Sequence, residues 1–340
     1  MAVVSMMQIR IIALTEYRKP LMELLQRRGV VQLQNDLPHD DVFERLDITA
    51  PCAQFQRGAQ AAEQALEILS RYAPQKAGPL DSLKGRAPLA PGQLEQCAAR
   101  RDELSAQTAE ILQLEKQLCE AKAAIPKLQV QIDALSPWMG LEVPFNFAGT
   151  ASTRAFIGSF SGDHTADALL QSIQLPTDVP LDLTILSHSK EQTCVFVLCP
   201  KKNAAAAENA LRHAGFSLPA LAGSLNPQQQ KAAWEEEIRQ CEALIQKNTR
   251  LLAGFGPRRA DLELLADYYS VRREKYLAMG KLAQTRHVFV AEGYAPAPDA
   301  AALQNELREK FFAAVELIRP DPEGEQPPVE LRNGGFSAPM

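Results

Sequence analysis

The sequence predicts an α+β protein in which two small α/β lobes are joined by a long antiparallel helical arm. Apolar residues from about Leu94 to Leu135 recur at three-then-four spacing, through Leu104, Ile111, Leu114, Leu118, Ala121, Ile125, Leu128, Ile132 and Leu135. A helix with such a seam must bury it against another helix. A second stretch carries a matching seam through Trp234, Ile238, Cys241, Ile245, Leu252, Phe255, Leu262, Ala266, Tyr269 and Tyr276. The segments that flank and separate these stretches switch to the period-two alternation of strands. At 1.5 Å per residue each arm would reach roughly 60 Å. Pairing of the arms within one chain is the simplest arrangement; periodicity also allows pairing between two chains, or a compact helical bundle.

At 340 residues the chain has room for two or three domains. A net charge of -5 argues against nucleic acid or an anionic membrane surface as the main partner. No run approaches the 18 apolar residues that would span a bilayer, and the opening MAVVSMMQIRII reads as a strand start rather than a signal peptide. The six cysteines, Cys52, Cys97, Cys119, Cys194, Cys199 and Cys241, form no CxxC. Cys194 and Cys199 lie five apart on a predicted strand, so they face opposite sides and cannot share a metal. The pattern reads as free thiols in a reducing, cytoplasmic compartment.

The elements follow in order. Val3 to Leu14 is a strand with Met7, Ile9, Ile11 and Ala13 on one face. Glu16 to Arg28 is a helix with Leu21, Leu24 and Leu25 inward, Pro20 in its first turn and Gly29 ending it. Val30 to Leu33 completes a βαβ unit. Phe55 to Tyr72 is a helix, and residues 74–93 a Pro- and Gly-rich linker. Pro126 should kink or break the first arm, and Gly254-Phe255-Gly256-Pro257 should bend or break the second.

Between the arms, Arg154 to Phe160 is a strand, Ala166 to Ile173 a helix, and Leu181, Leu183 and Ile185 mark a second strand. Thr193 to Cys199 is apolar on both faces and hence central. Asn203 caps a helix that runs to His213 and ends at Gly215, and Phe216 to Leu218 is a last short strand. The order β-α-β-β-α-β is ferredoxin-like. After the second arm, His287 to Tyr294 is a strand, Asp299 caps a helix through Phe312, and Val315 to Ile318 is a final strand. This second βαβ unit matches the first, so both chain ends should build one lobe. The expected parts are a proximal lobe from residues 1–40 and 285–320, arms at 53–135 and 228–284, a distal lobe at 150–220, and an extended tail at 321–340.

No catalytic constellation emerges. Gly158-Ser159-Phe160-Ser161-Gly162 resembles a nucleophile elbow but has Phe160 at its centre. Gly280-Lys281 lacks the upstream glycine and the hydroxyl of a phosphate loop. His39-Asp40-Asp41 has no further ligand at useful spacing and reads as a turn. His39, His164, His188, His213 and His287 are scattered. Trp138 and Trp234 read as packing residues where the arms meet the distal lobe. Arg27-Arg28, Arg100-Arg101, Arg258-Arg259 and Arg272-Arg273 read as solvated helix faces. No catalytic residue, cofactor, metal or small-molecule substrate is expected.

Three stretches carry a resemblance. Val4 to Leu33 resembles the opening of the large membrane-anchored stator subunit of V-type and archaeal-type rotary ATPases, called subunit I in prokaryotes and subunit a in eukaryotes. Gly293-Tyr294-Ala295-Pro296 is similar to that family's "G-(W/Y)-x-P" turn. Pro327-Pro328-Val329-Glu330-Leu331-Arg332-Asn333, with Phe336 and Pro339, is similar to the segment leading into the family's membrane domain. The resemblance is close at both ends and loose through residues 40–280. It implies a cytosolic half with two α/β lobes on long helices, on the cytoplasmic face of a membrane. It also implies peripheral-stalk heterodimers of the E/G type as partners at both lobes, and a membrane half beyond this chain, which would meet the rotor ring and hold the ion-translocating arginine. The function expected is a non-catalytic stator arm that resists torque in a proton- or sodium-coupled rotary ATPase. The rival reading is a ligand-binding regulatory protein with ferredoxin-like lobes.

Overall fold

The computed structural model describes residues 2–34, 43–75, 91–173, 179–221, 223–319, 328 and 330–332. The first elements are β1 (Ala2–Val4), β2 (Met6–Leu14), α1 (Arg18–Arg28), β3 (Gln32–Leu33), β4 (Glu44–Arg45), α2 (Thr49–Tyr72), α3 (Pro91–Ala99) and α4 (Arg101–Leu135). Then come β5 (Thr153–Ser161), α5 (Ala166–Ser172), β6 (Asp182–His188), β7 (Gln192–Pro200), α6 (Ala204–His213), α7 (Pro227–Gly254) and α8 (Arg259–Gly280). The last are β8 (Ala283–Gln284), β9 (Val288–Pro296), α9 (Ala297–Phe311), β10 (Ala314–Ile318) and β11 (Glu330–Arg332). The mixture of helix and sheet is that of an α+β protein. The chain divides into two compact units, Met1–Leu112 with Ala253–Met340, and Gln113–Leu252.

In the first unit β2 lies between β10 and β9, antiparallel to both, and β3 pairs with β9 beyond it. The units β2-α1-β3 and β9-α9-β10 therefore interlock, each leaving a gap that a strand of the other fills. Alternation on β2 does what the sequence predicts: Ile9, Ile11 and Ala13 are buried and Leu14 is exposed. Their face packs against Leu21 and Leu25 of α1, Leu303, Leu307 and Phe311 of α9, and Phe289 of β9. Gly29 ends α1 with φ 63° and donates its N–H to the Leu25 carbonyl at 2.9 Å. The strand expected over Val30–Leu33 shortens to Gln32–Leu33. Gly293 sits level with both Ile9 and Leu33, and a Cβ on it would lie 2.4 Å from the Gln32 carbonyl oxygen. Only glycine admits this approach of β3 to β9.

Three local expectations are corrected here. Helix α2 begins at Thr49 rather than Phe55, because the Asp47 carboxylate accepts the Thr49 N–H at 2.9 Å and Pro51 lies in the first turn, where no N–H is needed. Asp299 does not cap α9; Pro296 holds that position and Asp299 lies in the first turn, where a carboxylate favours the helix dipole. Arg259 is buried rather than solvated. Its guanidinium donates to Ser70 Oγ at 3.2 Å and to the Ala73 carbonyl at 3.1 Å, covering the C-terminal end of α2. Helices α2 and α8 run antiparallel from this contact to the packing of Gly280 on Ile48. Between those ends Phe55 packs on Tyr276 with the rings tilted and their centroids 5.3 Å apart, and Gly58 leaves room for the Tyr269 ring.

The second unit repeats the first one's strand order in smaller form. β7 is central between β5 and β6, antiparallel to each. The last strand expected, Phe216–Leu218, reduces to a single bridge between Ser159 and Ser217, paired by two hydrogen bonds of 2.9 Å. Pro219 follows at once and donates no backbone hydrogen bond. Cys199 faces the helices with Phe156, Val197 and Leu211, whereas Cys194 faces the other way with Trp138, Leu141 and Ile157. A register shift between Ile185 and Ser187 accompanies the packing of Leu186 against that second cluster. Asn203 occupies the N-cap of α6 without a side-chain cap hydrogen bond. Pro126 lies inside α4 and does not end it; Leu118 and Ala121 before it and Leu128 and Ile132 after it are buried. The break expected at Gly254–Pro257 is present, as a short 3-10 turn over Gly256–Arg258.

Two tests follow from charged groups in the first unit. Lys275 of α8 is buried and donates to Glu23 of α1. That hydrogen bond holds the Glu23 carboxyl below its ordinary value against the opposing effect of burial, with smaller help from Arg272 and Arg27. A lowered carboxyl value gives stability that is complete above the unfolded value and lost as pH falls through the folded one. The thermal midpoint of Glu23→Gln should therefore sit below wild type at neutral pH, and the gap should close as pH falls through the lowered carboxyl value of the folded state. A pH-independent gap would contradict the pairing. Arg259→Met should cost roughly 1–3 kcal/mol in denaturant unfolding, because it strips the donors from Ala73 and Ser70; an unchanged unfolding midpoint would contradict the cap.

Candidate interaction surfaces

The residues that could carry chemistry lie apart. His164 Nε2 meets the Ser161 carbonyl at 2.7 Å, and His188 pairs with Asp163 at 3.1 Å in an exposed position. Among the described residues no group of three or more His, Cys, Asp or Glu is arranged to hold a metal, and no helix is long and apolar enough to cross a membrane. Burial pushes the thiols of Cys97, Cys194 and Cys199 up from their ordinary value, which leaves them as packing groups rather than nucleophiles. Phe160, at the centre of the glycine-flanked stretch on β5, is buried against Phe216 at 5.6 Å between centroids. His39-Asp40-Asp41 lies outside the described residues.

The surfaces are more informative. In the first unit, β2 side chains that alternate with the buried row point away from α1 and α9. Arg10 among them lies level with Glu292 on β9 and Glu316 on β10. Its guanidinium reaches Glu292 at 2.5 Å and Glu316 at 3.5 Å. The hydrogen bond to Glu292 is the main cause raising the Arg10 pKa. This ion triad could not be seen in the sequence, because its members come from opposite chain ends. A groove of about 1350 Å³ also opens between α2, α3, α4 and α8, with Cys97 and Leu104 at its floor and Glu63, Arg100 and Asp261 at its walls. Arg100 donates to Asp261 at 3.2 Å and to Glu103 at 3.2 Å, tying α3, α4 and α8 together.

The predicted seam residues fall in both units. In the first, Leu104, Ile111 and Leu262 are buried. Tyr269 packs beside Leu104, Cys97 and Leu265, and its hydroxyl meets Ser105 Oγ at 2.8 Å. In the second, Leu118, Ile132 and Leu252 are buried while Ile125, Ile238 and Ile245 are half-buried. Here α4 and α7 run antiparallel: Gln228 donates to the Met139 carbonyl at 3.3 Å, and Asn248 to the Leu114 carbonyl at 3.3 Å and to Gln117 at 3.1 Å. Asn248 is buried at the heptad position between Ile245 and Leu252. Apolar counting passes over it, although the unbroken spacing Trp234, Ile238, Cys241, Ile245, Asn248, Leu252 marks it. Trp138 is buried with Phe145 edge-on at 5.6 Å, and Trp234 is half-buried.

Of the residues that carry the family resemblance, Gly293 and Pro296 lie on β9, both buried, with Pro296 level with Met6. Leu331 and Arg332 belong to β11, which pairs with β1 so that Leu331 is level with Val3 and Arg332 with Ala2. Pro328 is half-buried. Pro327 and Asn333 lie outside the described residues.

No protein-family model matches this sequence, and no curated protein does. Among solved structures, the chain is similar to the crystal structure of the cytoplasmic N-terminal domain of subunit I, homolog of subunit a, of V-ATPase, with 14% identity and a TM-score of 0.44 over 92% of this chain and 99% of that one.

Proposed function

We propose that this chain is the cytosolic part of a non-catalytic stator subunit of a rotary V-type ATPase. The observation that carries the reading is the pair of motifs at its C-terminal side, Gly293-Tyr294-Ala295-Pro296 and the segment Pro327 to Asn333, together with the opening Val4 to Leu33. All three resemble the stator subunit, and a match at both chain ends is hard to obtain by chance in one chain. In this reading residues 1–40 with 285–320 form a proximal ferredoxin-like lobe, residues 150–220 a distal one, and the helices of 53–135 and 228–284 a coiled-coil arm between them. The segment 321–340 leads toward a membrane half that meets the rotor ring.

The mechanism is mechanical. Rotation driven by ATP or by an ion gradient produces torque between the catalytic head and the membrane motor, and a stator must resist it. Peripheral stalks of the E/G type would dock on the two lobes, at the cytoplasmic face of the membrane. Stiffness would come from the apolar seam, and Asn248 would fix the register of α4 and α7, because slipping either helix would strand a buried amide. Calorimetric titration of the chain with the peripheral-stalk heterodimer from the same source tests the proposal. Micromolar or tighter binding, weakened by deletion of residues 150–220, is the expected result; no binding by the full chain would refute it.

A further inference from the structure

The groove of about 1350 Å³ between α2, α3, α4 and α8 has an apolar lining and a charge of one sign. Leu66 of α2, Cys97 of α3, Leu104 of α4, and Leu264 and Val271 of α8 supply the apolar part. Cys97 and Leu104 are buried, whereas Leu66, Leu264 and Val271 are half-buried and keep apolar surface open to water. Leu264, Asp267, Val271 and Glu274 recur at three- and four-residue spacing, so one face of α8 runs along the groove. From Ala260 to Glu274 that face extends roughly 20 Å. Glu63, Asp261, Glu263, Asp267 and Glu274 line the groove against one guanidinium, Arg100. Arg100 is already held by Asp261 and Glu103, each at 3.2 Å, and Arg258 reaches the same Asp261 at 3.5 Å. Arg272 lies over the Tyr268 ring, 5.4 Å from its centroid. The carboxylates are spread rather than gathered: among the described residues no group of three or more is arranged to hold a metal ion.

We infer that this groove seats a basic amphipathic helix of another protein, its apolar stripe on Leu66, Leu264 and Val271 and its lysines or arginines against Glu63, Glu263 and Glu274. Sign and shape together choose that occupant. Carboxylates spread over an apolar floor repel nucleic acid and anionic lipid, and they attract a cation of matching length. The volume exceeds the roughly 300–1,000 Å³ of small-molecule sites. Among the described residues no aromatic side chain lines the groove, so it lacks the ring-walled slot that takes a proline-rich segment. Its walls are helices, which offer no open sheet edge to an added strand. A helix laid in the groove remains, read by apolar anchors at i, i+3, i+4 and i+7. About four turns of helix match the length of the α8 face. All of these residues belong to the first unit. The groove is tested with its own probe and not with stalk subunits, so it and the stator reading can fail separately.

The test titrates the full chain with an amidated synthetic peptide of about fourteen residues, built from leucine, alanine and lysine with the leucines on one helical face. The controls are the same composition scrambled so that the leucines share no face, and spermine as a short cation. Binding of the amphipathic peptide, weakening with added salt, is the expected result. Glu63→Lys with Glu274→Lys, both at exposed helix positions, should weaken it by about tenfold or more at an unchanged thermal midpoint. Should that midpoint fall, Glu63→Gln with Glu274→Gln should still weaken binding several-fold. Glu237→Lys with Glu242→Lys, exposed on α7 of the second unit, should leave it unchanged. No binding, or equal loss in both pairs of variants, would overturn the inference. So would a scrambled peptide or spermine that binds as tightly. Self-association of the chain in analytical ultracentrifugation, abolished by Glu63→Lys with Glu274→Lys, would give the groove to a second copy and likewise overturn it.

Discussion

The pairing of β2 with β9 is the constraint on which the rest depends. Nine residues near the N-terminus, Met6–Leu14, run antiparallel to Val288–Pro296 along their whole length. Closing a loop of that span costs about 5 kcal/mol on logarithmic scaling. Ile9, Ile11 and Phe289 are fully buried at the pairing, and at roughly 1.5–3 kcal/mol for each large apolar side chain they offset that cost. Gly293 lets β3 close against the same strand. Everything between Thr15 and His287 is in effect an insertion between two central strands. Even the join is sealed, since the Thr15 N–H reaches the His287 carbonyl at 2.9 Å.

Buried polar groups then select among helix packings that apolar contact alone would leave open. Arg259 places the start of α8 against the end of α2, and Asn248 places α7 against a particular turn of α4. Neither contributes much net stability compared with an apolar side chain of similar size, because each gives up hydration. What each adds is the cost of any other register, in which the same donors would be buried without acceptors. The ion triad of Arg10 joins three strands drawn from both ends of the chain, but Arg10 and Glu316 are open to solvent, so it sets register less strictly than the buried groups do.

The sequence exposes periodicity and hides long-range polar contacts, which explains what could be read. Alternation on β2 and on Thr193–Cys199 identified the strands and their faces, because burial acts on every second residue. The matching element order of the two chain-end βαβ units suggested one shared lobe, whereas the way a strand of each fills the gap in the other has no signal in sequence spacing. Asn248 and Arg259 were not legible either, since a count of apolar residues or of neighbouring charges has no place for a polar group satisfied by a distant helix. Of the two outcomes expected at Pro126, a kink or a break, the break is absent: the missing hydrogen bond is a local cost, and the helix continues past it between buried residues on either side. The start of α2 was hidden because Asp47 and Pro51, rather than an apolar repeat, determine it. The triad of Arg10, Glu292 and Glu316 and the exposed, left-handed Phe312 have no signal in sequence spacing.

A stator account gives these features one purpose, since a part that resists torque needs a fixed register and defined docking faces more than it needs a pocket. Cross-linking mass spectrometry on the intact complex, purified from native membranes, tests this most directly. The account predicts links from the exposed lysines Lys19 and Lys310 of the first unit, and from Lys190, Lys201 and Lys202 of the second, to coiled-coil stalk subunits. Links from both units to other proteins, with none to a stalk, would contradict it.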